Sequence, residues 1–303
     1  MHDIAIQLKE VHKYYGKVHA LRGLNLEVKQ GEIFGFLGPN GAGKTTTIRC
    51  MLDLIRPNQG TIQVFGINPQ ENPQAVKDQV GYLPGDLQLD GDFTPRRLMR
   101  FIRQLRHNNR SLEEMNTYAK RLDLPMDQKI KTLSQGNKQK VGLLLAFLSK
   151  VPLLMLDEPT LGLDPLMQQE VLNMVREQAR NGATVFFSSH ILSEVQKIAD
   201  RVGIIRKGSL VEIAQTQDLI SKAITRANVL FSEAVPENSF NDLPNVKLLR
   251  VNNDSQLYNF EISGELDLFI KTVAKFQVRD MAIHRPSLEE VFLKYYKEEN
   301  EEA

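Results

Sequence analysis

Eight consecutive residues constrain this chain more than any others. Gly38-Pro39-Asn40-Gly41-Ala42-Gly43-Lys44-Thr45 fits the pattern G-x-x-x-x-G-K-[ST]. The run before it, Ile33-Phe34-Gly35-Phe36-Leu37, is apolar and short, as a buried strand is, and the residues after it read as a helix through about Leu54. The chain is thereby committed to a strand, a tight loop and a helix in that order. Glycines let the loop curl so that its N–H groups point inward, and those donors, with the helix N-terminus, hold phosphate oxygens. In this pattern Lys44 reaches the β- and γ-phosphates, the Thr45 hydroxyl binds Mg²⁺ and Thr46 adds a phosphate contact. From average residue frequencies such a match arises by chance in on the order of 1 in 100 chains of this length, and the correct flanks lower that further.

The rest of the sequence sets the frame. A length of 303 residues predicts two domains and a core that needs no disulfide staples. With 42% apolar and 25% charged residues, wholesale disorder, collagen and a mini-protein scaffold are excluded. Lys and Arg number 38 against 37 Asp and Glu, so no global basic field exists and nucleic acid is not expected as a partner. The single cysteine, Cys50, excludes an internal disulfide and a multi-cysteine metal cage, which suits a reducing cytoplasm. The start, Met1-His2-Asp3-Ile4-Ala5-Ile6-Gln7, lacks the charged head and apolar core of an export signal. The most apolar region, Val141–Leu156, is broken by Ser149, Lys150 and Pro152, and falls short of the ~20 residues needed to span a bilayer. The expectation is a chain that does not itself cross a membrane and is free to dock on one that does.

Strand patterns occupy residues 4–37, where Ile4, Ile6 and Leu8, and then Leu24, Leu26 and Val28, alternate with polar residues; Thr61–Phe65 returns as a strand. Residues 70–125 read mostly as helix. There Thr94-Pro95 makes a cap and first helical position, and Leu98, Phe101, Ile102 and Leu105 recur at helical spacing. Beyond them the spacing predicts a helix opened by Leu133-Ser134, a strand Leu153–Leu156, a helix Pro165–Arg180, a strand Ala183–Ser188 and a helix Ile191–Asp200. Lys207-Gly208 marks a hairpin between Val202–Arg206 and Ser209–Ile213. Strands alternating with helices imply a parallel sheet. After about Gln215 the motifs stop. Strands at Asn228–Ser232, Val246–Val251 and Leu257–Ile262, with helices at Leu266–Phe276 and Ser287–Tyr296, suggest a small separate α+β domain over 216–303.

Leu153-Leu154-Met155-Leu156-Asp157-Glu158 ends a buried strand in two carboxylates, at the end of a parallel sheet where ligands bind. Downstream of a phosphate loop, Asp157 is placed to hold Mg²⁺ and Glu158 to polarise an attacking water.

Taken together, these motifs resemble those of the nucleotide-binding subunit of an ATP-binding cassette (ABC) transporter, over roughly residues 4–215. Leu133-Ser134-Gln135-Gly136-Asn137 resembles the family signature LSGGQ, with Gln135 and Asn137 departing from it. Leu161-Gly162-Leu163-Asp164 is similar to the family's D-loop, and His190, after Ser188-Ser189, to its switch histidine. Tyr15 matches the aromatic that stacks on adenine, with Tyr14 as a competing ring. The family's glutamine after the strand Val80-Gly81-Tyr82-Leu83-Pro84 is absent; Gly85 and Asp86 stand there. Asp86 is left with two readings, a water-bridged metal contact or an exposed loop aspartate.

The resemblance implies a P-loop ABC cassette over 1–215, comprising a β subdomain, a parallel-sheet core and a helical subdomain at about 85–150. It further implies an ATPase that binds ATP and Mg²⁺, and two copies, or this chain and a related subunit, closing head to tail on two ATP molecules. Each site would join Lys44, Thr45, Asp157, Glu158 and His190 of one copy to Ser134 and Gly136 of the other, with Asp164 in the coupling loop. The dimer would sit peripherally on the cytoplasmic face of the membrane and pull on a separate integral-membrane permease through residues 85–125. The C-terminal segment, with Arg285-Pro286-Ser287-Leu288-Glu289-Glu290-Val291-Phe292, is similar to the extension of bacterial export-type subunits, which points to export. The alternative is a cassette ATPase without a transport role, associated with nucleic acid or ribosomes or sensing a ligand. Arg96, Arg97, Arg100, Arg103, Arg106 and Arg110 form a basic stretch read either as a solvated helix face or as a surface for head groups or an acidic partner loop.

Overall fold

The computed structural model describes residues 3–106, 110–221, 225–241, 243–252 and 254–284. The chain divides into two compact units, residues 1–214 and 215–303.

In the first unit, β1 (Ile4–Tyr15) and β2 (Val18–Lys29) form a long hairpin, and β4 (Gln59–Val64) pairs antiparallel with the other edge of β1. Between them run β3 (Ile33–Leu37) and α1 (Lys44–Met51). Then come α2 (Pro73–Asp78), β5 (Val80–Leu83), α3 (Pro95–Leu105), α4 (Leu112–Arg121), α5 (Gln135–Ala146) and β6 (Leu153–Asp157). The unit closes with α6 (Pro165–Arg180), β7 (Thr184–Ser189), α7 (Leu192–Ile198), β8 (Arg201–Arg206) and β9 (Ser209–Gln215). The second sheet has the order β5-β6-β7-β3-β8-β9. Its pairs β5–β6, β6–β7, β7–β3 and β3–β8 are parallel, as the strand–helix alternation requires. Every residue of β3, β6 and β7 is buried, which explains their continuous apolar runs.

The register is what assembles the site. Leu37 lies opposite Ser189, and Asp157 opposite Ser188, so the phosphate loop, the acid pair and the residues before His190 leave the same edge of the sheet side by side. The β8–β9 hairpin braces this edge. Lys207 and Gly208 both take positive φ, 48° and 83°, the geometry of a tight two-residue turn, and the Gly208 N–H donates to the Ala42 carbonyl. Gly38 passes so close to β8 that a Cβ there would lie 2.4 Å from the Ile205 carbonyl oxygen.

Several local expectations shift. Ile4 is exposed, because an irregularity between Ile4 and Ile6 turns Ala5 and Ile6 inward. The first helix ends at Met51, where Asp53 adopts a φ of 49°. In α3 the buried residues are Pro95, Leu98 and Met99, while Phe101 and Leu105 face outward. The basic stretch is not a uniformly solvated face. Arg96 makes a paired contact with Asp127, Arg106 donates to the Val80 carbonyl, and buried Arg110 donates to the Phe147 carbonyl and to Gln178. Cys50 is fully buried on α1, and burial pushes its thiol up to about 11. No helix among the described residues is long and apolar enough to cross a membrane.

The second unit contains α8 (Thr216–Ser221), β10 (Thr225–Phe231), β11 (Val246–Asn252), β12 (Leu257–Ile262), α9 (Asp267–Val273) and β13 (Val278–His284). Its antiparallel sheet has the order β11-β12-β10-β13. Phe231, Phe240, Tyr258, Phe260 and Phe269 fill its core, and the Tyr258 hydroxyl is satisfied by both the N–H and the carbonyl of Val235. Neither α8 nor β13 was expected from the pattern. The helix expected at Ser287–Tyr296 lies outside the described residues.

Candidate active site

Backbone geometry sets the shape of the phosphate loop. Gly43 sits at φ 113°, which a side chain would resist, and so turns the chain into α1. Asn40 and Gly41 form the exposed rim, while Ala42 is buried and its N–H donates to Pro39. Lys44 is 6% exposed; its Nζ donates to the carbonyls of Gly38 (2.6 Å) and Pro39 (3.2 Å) and lies 3.1 Å from Glu158 Oε1. Among the described residues that buried carboxylate oxygen takes no directional hydrogen bond, and the ammonium is its ion-pair partner. Thr46 lies beside it on the first turn, partly buried.

Asp157 is fully buried. Among the described residues its hydrogen bonds come from two hydroxyls, Thr45 to Oδ2 (2.7 Å) and Ser188 to Oδ1. A carboxylate and a hydroxyl at this spacing form a hard oxygen donor set of the kind Mg²⁺ prefers. Burial and the Asp157 charge together push the neighbouring Tyr82 phenol up to about 12.

Glu158 takes a φ of 52°, an unfavourable conformation for a residue with a side chain. Its backbone is pinned at both ends: the N–H donates to Ser188, and the carbonyl accepts from Gln139 Nε2 at 2.9 Å. The side chain is thus aimed at His190, whose Nδ1 lies 2.8 Å from Glu158 Oε2. Buried Gln139 was missed by sequence reasoning. Its spacing of three from Gly136 was the available signal, since it puts both on one face of α5.

Lys44, Thr45, Asp157, Glu158 and His190 therefore form one connected group. Ser134, Gly136 and Asp164 belong to a second. The Ser134 hydroxyl caps α5 by accepting from the Asn137 N–H, and Asp164 caps α6 by accepting from Leu166 and Met167. At Gly136 a Cβ would lie 2.7 Å from the Gly162 carbonyl oxygen, so the start of α5 packs directly on the Leu161–Asp164 turn. Leu161 and Leu166, flanking that turn, are exposed.

The two tyrosines differ in what they touch. Tyr14 stacks on His19, with ring centroids 4.0 Å apart and planes at 14°. Tyr15 is 46% exposed, with Lys13 Nζ 5.3 Å from its ring. At Gly85 a Cβ would lie 2.9 Å from Asp157 Oδ2, while Asp86 is exposed. The segment after β5 thus meets Asp157 with bare backbone, and a side chain at position 85 would require the Asp157 carboxylate to shift.

Known proteins resemble this chain in sequence and in fold. The family model described as ABC transporter matches residues 21–161. A daunorubicin resistance ATP-binding protein of Streptomyces coeruleorubidus is 32% identical over 97% of this chain and 96% of its own length. A bacitracin transport ATP-binding protein of Bacillus licheniformis is 37% identical over 68% of both chains. A solved structure of an ATP-binding subunit of an ABC transporter superposes with a TM-score of 0.65 at 28% identity, covering 71% of this chain and 91% of the other.

Proposed function

The chain belongs to the ATP-binding subunits of ABC transporters, and on that premise we propose that it closes in pairs on ATP and, by hydrolysing it, drives export through a separate membrane permease. The observation that carries this reading is the group at the sheet edge, in which Lys44 and His190 both touch Glu158 and Thr45 touches Asp157.

The proposed roles follow from position. Lys44 reaches the β- and γ-phosphates, with N–H groups of the loop and of the first turn of α1 completing the cradle. Thr45 and Asp157 would hold Mg²⁺, which supplies charge neutralisation to the phosphates. Glu158 takes the proton of the attacking water, and His190, bonded to it, orients that water and contacts the γ-phosphate. Tyr15, with an open ring, stacks on adenine. Ser134 and Gly136 offer a helix N-terminus to the nucleotide held by a second copy. Exposed Leu161 and Leu166 beside the capped Asp164 turn support that pairing, because a partner would cover them. Residues 1–215 are the motor on this reading, and 216–303 an accessory domain. We place the dimer on the cytoplasmic face of the membrane, with the helical segment contacting the permease. A relative named for drug resistance and one named for bacitracin transport support an outward direction.

The test is nucleotide-driven pairing. With Mg²⁺ and ATP, Glu158→Gln should bind ATP, release phosphate far more slowly than the native chain and migrate as a dimer, whereas Lys44→Ala should lose ATP binding. Full turnover by Glu158→Gln, or an unchanged ATP titration for Lys44→Ala, would refute the assignment.

A further inference from the structure

Among the described residues, the reaction group leaves one buried acid unused. Glu194, in the first turn of α7, is 4% exposed. Its Oε1 accepts from the Thr160 hydroxyl, and its Oε2 accepts from the Ser189 hydroxyl at 2.8 Å. Both hydroxyl residues are themselves buried, Thr160 at 1% and Ser189 at 0%. The Ser189 oxygen in turn accepts from the Ile191 N–H at 2.9 Å, so it spans the backbone on both sides of His190.

A carboxylate out of water is costly, and it persists where the surrounding groups satisfy it and something is gained from its directionality. Packing is not what is gained here. The apolar contacts of α7 are made by Val195 and Ile198, with Val195 so close to Gly35 that a Cβ there would lie 2.7 Å from it. What Glu194 does is tie two loops together. Thr160 lies two residues beyond Glu158, across Pro159, whose ring fixes φ and transmits the restraint. Ser189 immediately precedes His190. One side chain thus fixes the chain next to both members of the 2.8 Å His190–Glu158 contact.

We propose that Glu194 is a positioning residue for ATP hydrolysis, a two-handed brace that holds the Glu158 and His190 loops at their working separation. This rests on the reading of Glu158 and His190 given above. Because proton transfer is sensitive to displacements of an ångström or less, loosening the brace should cost turnover rather than nucleotide binding.

The experiment is steady-state ATPase kinetics, ATP titration and thermal unfolding on full-length Glu194→Ala, Glu194→Gln, Thr160→Val and Ser189→Ala. Glu194→Ala and Thr160→Val should lower kcat by about tenfold or more with KM for ATP within about twofold of native. Glu194→Gln can accept with its carbonyl and donate with its amide to the two hydroxyls, and should recover most of the loss. If Glu194→Ala does not fold, Thr160→Val and Glu194→Gln carry the same comparison. Native kcat in folded Thr160→Val, KM rising in step with the loss of kcat, or Glu194→Gln as impaired as Thr160→Val would each overturn the proposal. Glu158→Gln serves as the control. If it turns over fully, the underlying reading has failed; if it is inactive while Thr160→Val is native-like, the brace alone has failed.

Discussion

The Nδ1 of His190 lies 2.8 Å from Oε2 of Glu158, although the two residues leave the ends of different strands, β7 and β6. On the roles proposed above they serve one proton and one water, so they should behave as a unit. His190→Ala is expected to reduce kcat by about 10²–10⁴-fold while ATP still binds. The double variant His190→Ala/Glu158→Gln should be little slower than the slower single variant. Phosphate-release assays on the three variants check this, and simple multiplication of the two losses would show that the residues work separately.

The tyrosine pair predicts a one-sided result. Tyr15→Ala should weaken ATP binding by ~1–3 kcal/mol, the range for a base stacked on an aromatic ring, and Tyr15→Phe should retain affinity. Tyr14→Ala removes a ring already stacked on His19 and should cost less. Titration with a fluorescent ATP analogue distinguishes them; a larger loss at Tyr14 would move the stacking role there.

Restoring the family's glutamine should harm this protein. A Cβ at position 85 would lie 2.9 Å from Asp157 Oδ2, so the buried Asp157 carboxylate must shift to admit it. Gly85→Gln is therefore expected to disturb the Thr45–Asp157 contact, raising the Mg²⁺ concentration needed for half-maximal ATPase and lowering Tm. A gain in activity, or an unchanged Mg²⁺ titration, would contradict this.

The link between α4 and α6 has a pH signature. Hydrogen bonds and charge from Arg121 hold the Glu177 carboxyl below the usual carboxylate range. A lowered folded-state value means that the contribution is complete above the unfolded carboxyl's pKa of about 4.3 and is lost as pH falls through the folded value. Arg121→Gln should thus have a lower Tm than the native chain near neutrality, with the gap narrowing as the pH is lowered to about 3. Unfolding scans across that range give the answer, and a gap independent of pH would refute the mechanism.

The parallel sheet and its strand-end acids were legible because buried strands and phosphate loops carry one-dimensional patterns. Ile33–Leu37 is apolar throughout because both faces of β3 are covered, and Lys44-Thr45 must open a helix. The brace formed by Glu194 and the grip of Gln139 on Glu158 were not legible. Each is a single polar residue within a helix; the spacing of Gln139 from Gly136 marks a shared face, but no sequence pattern names the group that either side chain grips. Phe101 and Leu105 misled in the opposite sense, since helical spacing of apolar residues marks a face without saying whether the fold covers it. The edge strand β13 escaped because Val278-Arg279-Asp280-Met281-Ala282 has no clean alternation, and its members are mostly exposed.

Cys50, sealed inside α1, has a practical consequence. Its thiol is shielded from reagents and, with a pKa of about 11, almost wholly protonated at neutral pH. Spin labels or fluorophores can therefore be attached at introduced surface positions without first removing the native residue. The approach of two labelled copies could then be timed by distance spectroscopy in an otherwise unaltered sequence.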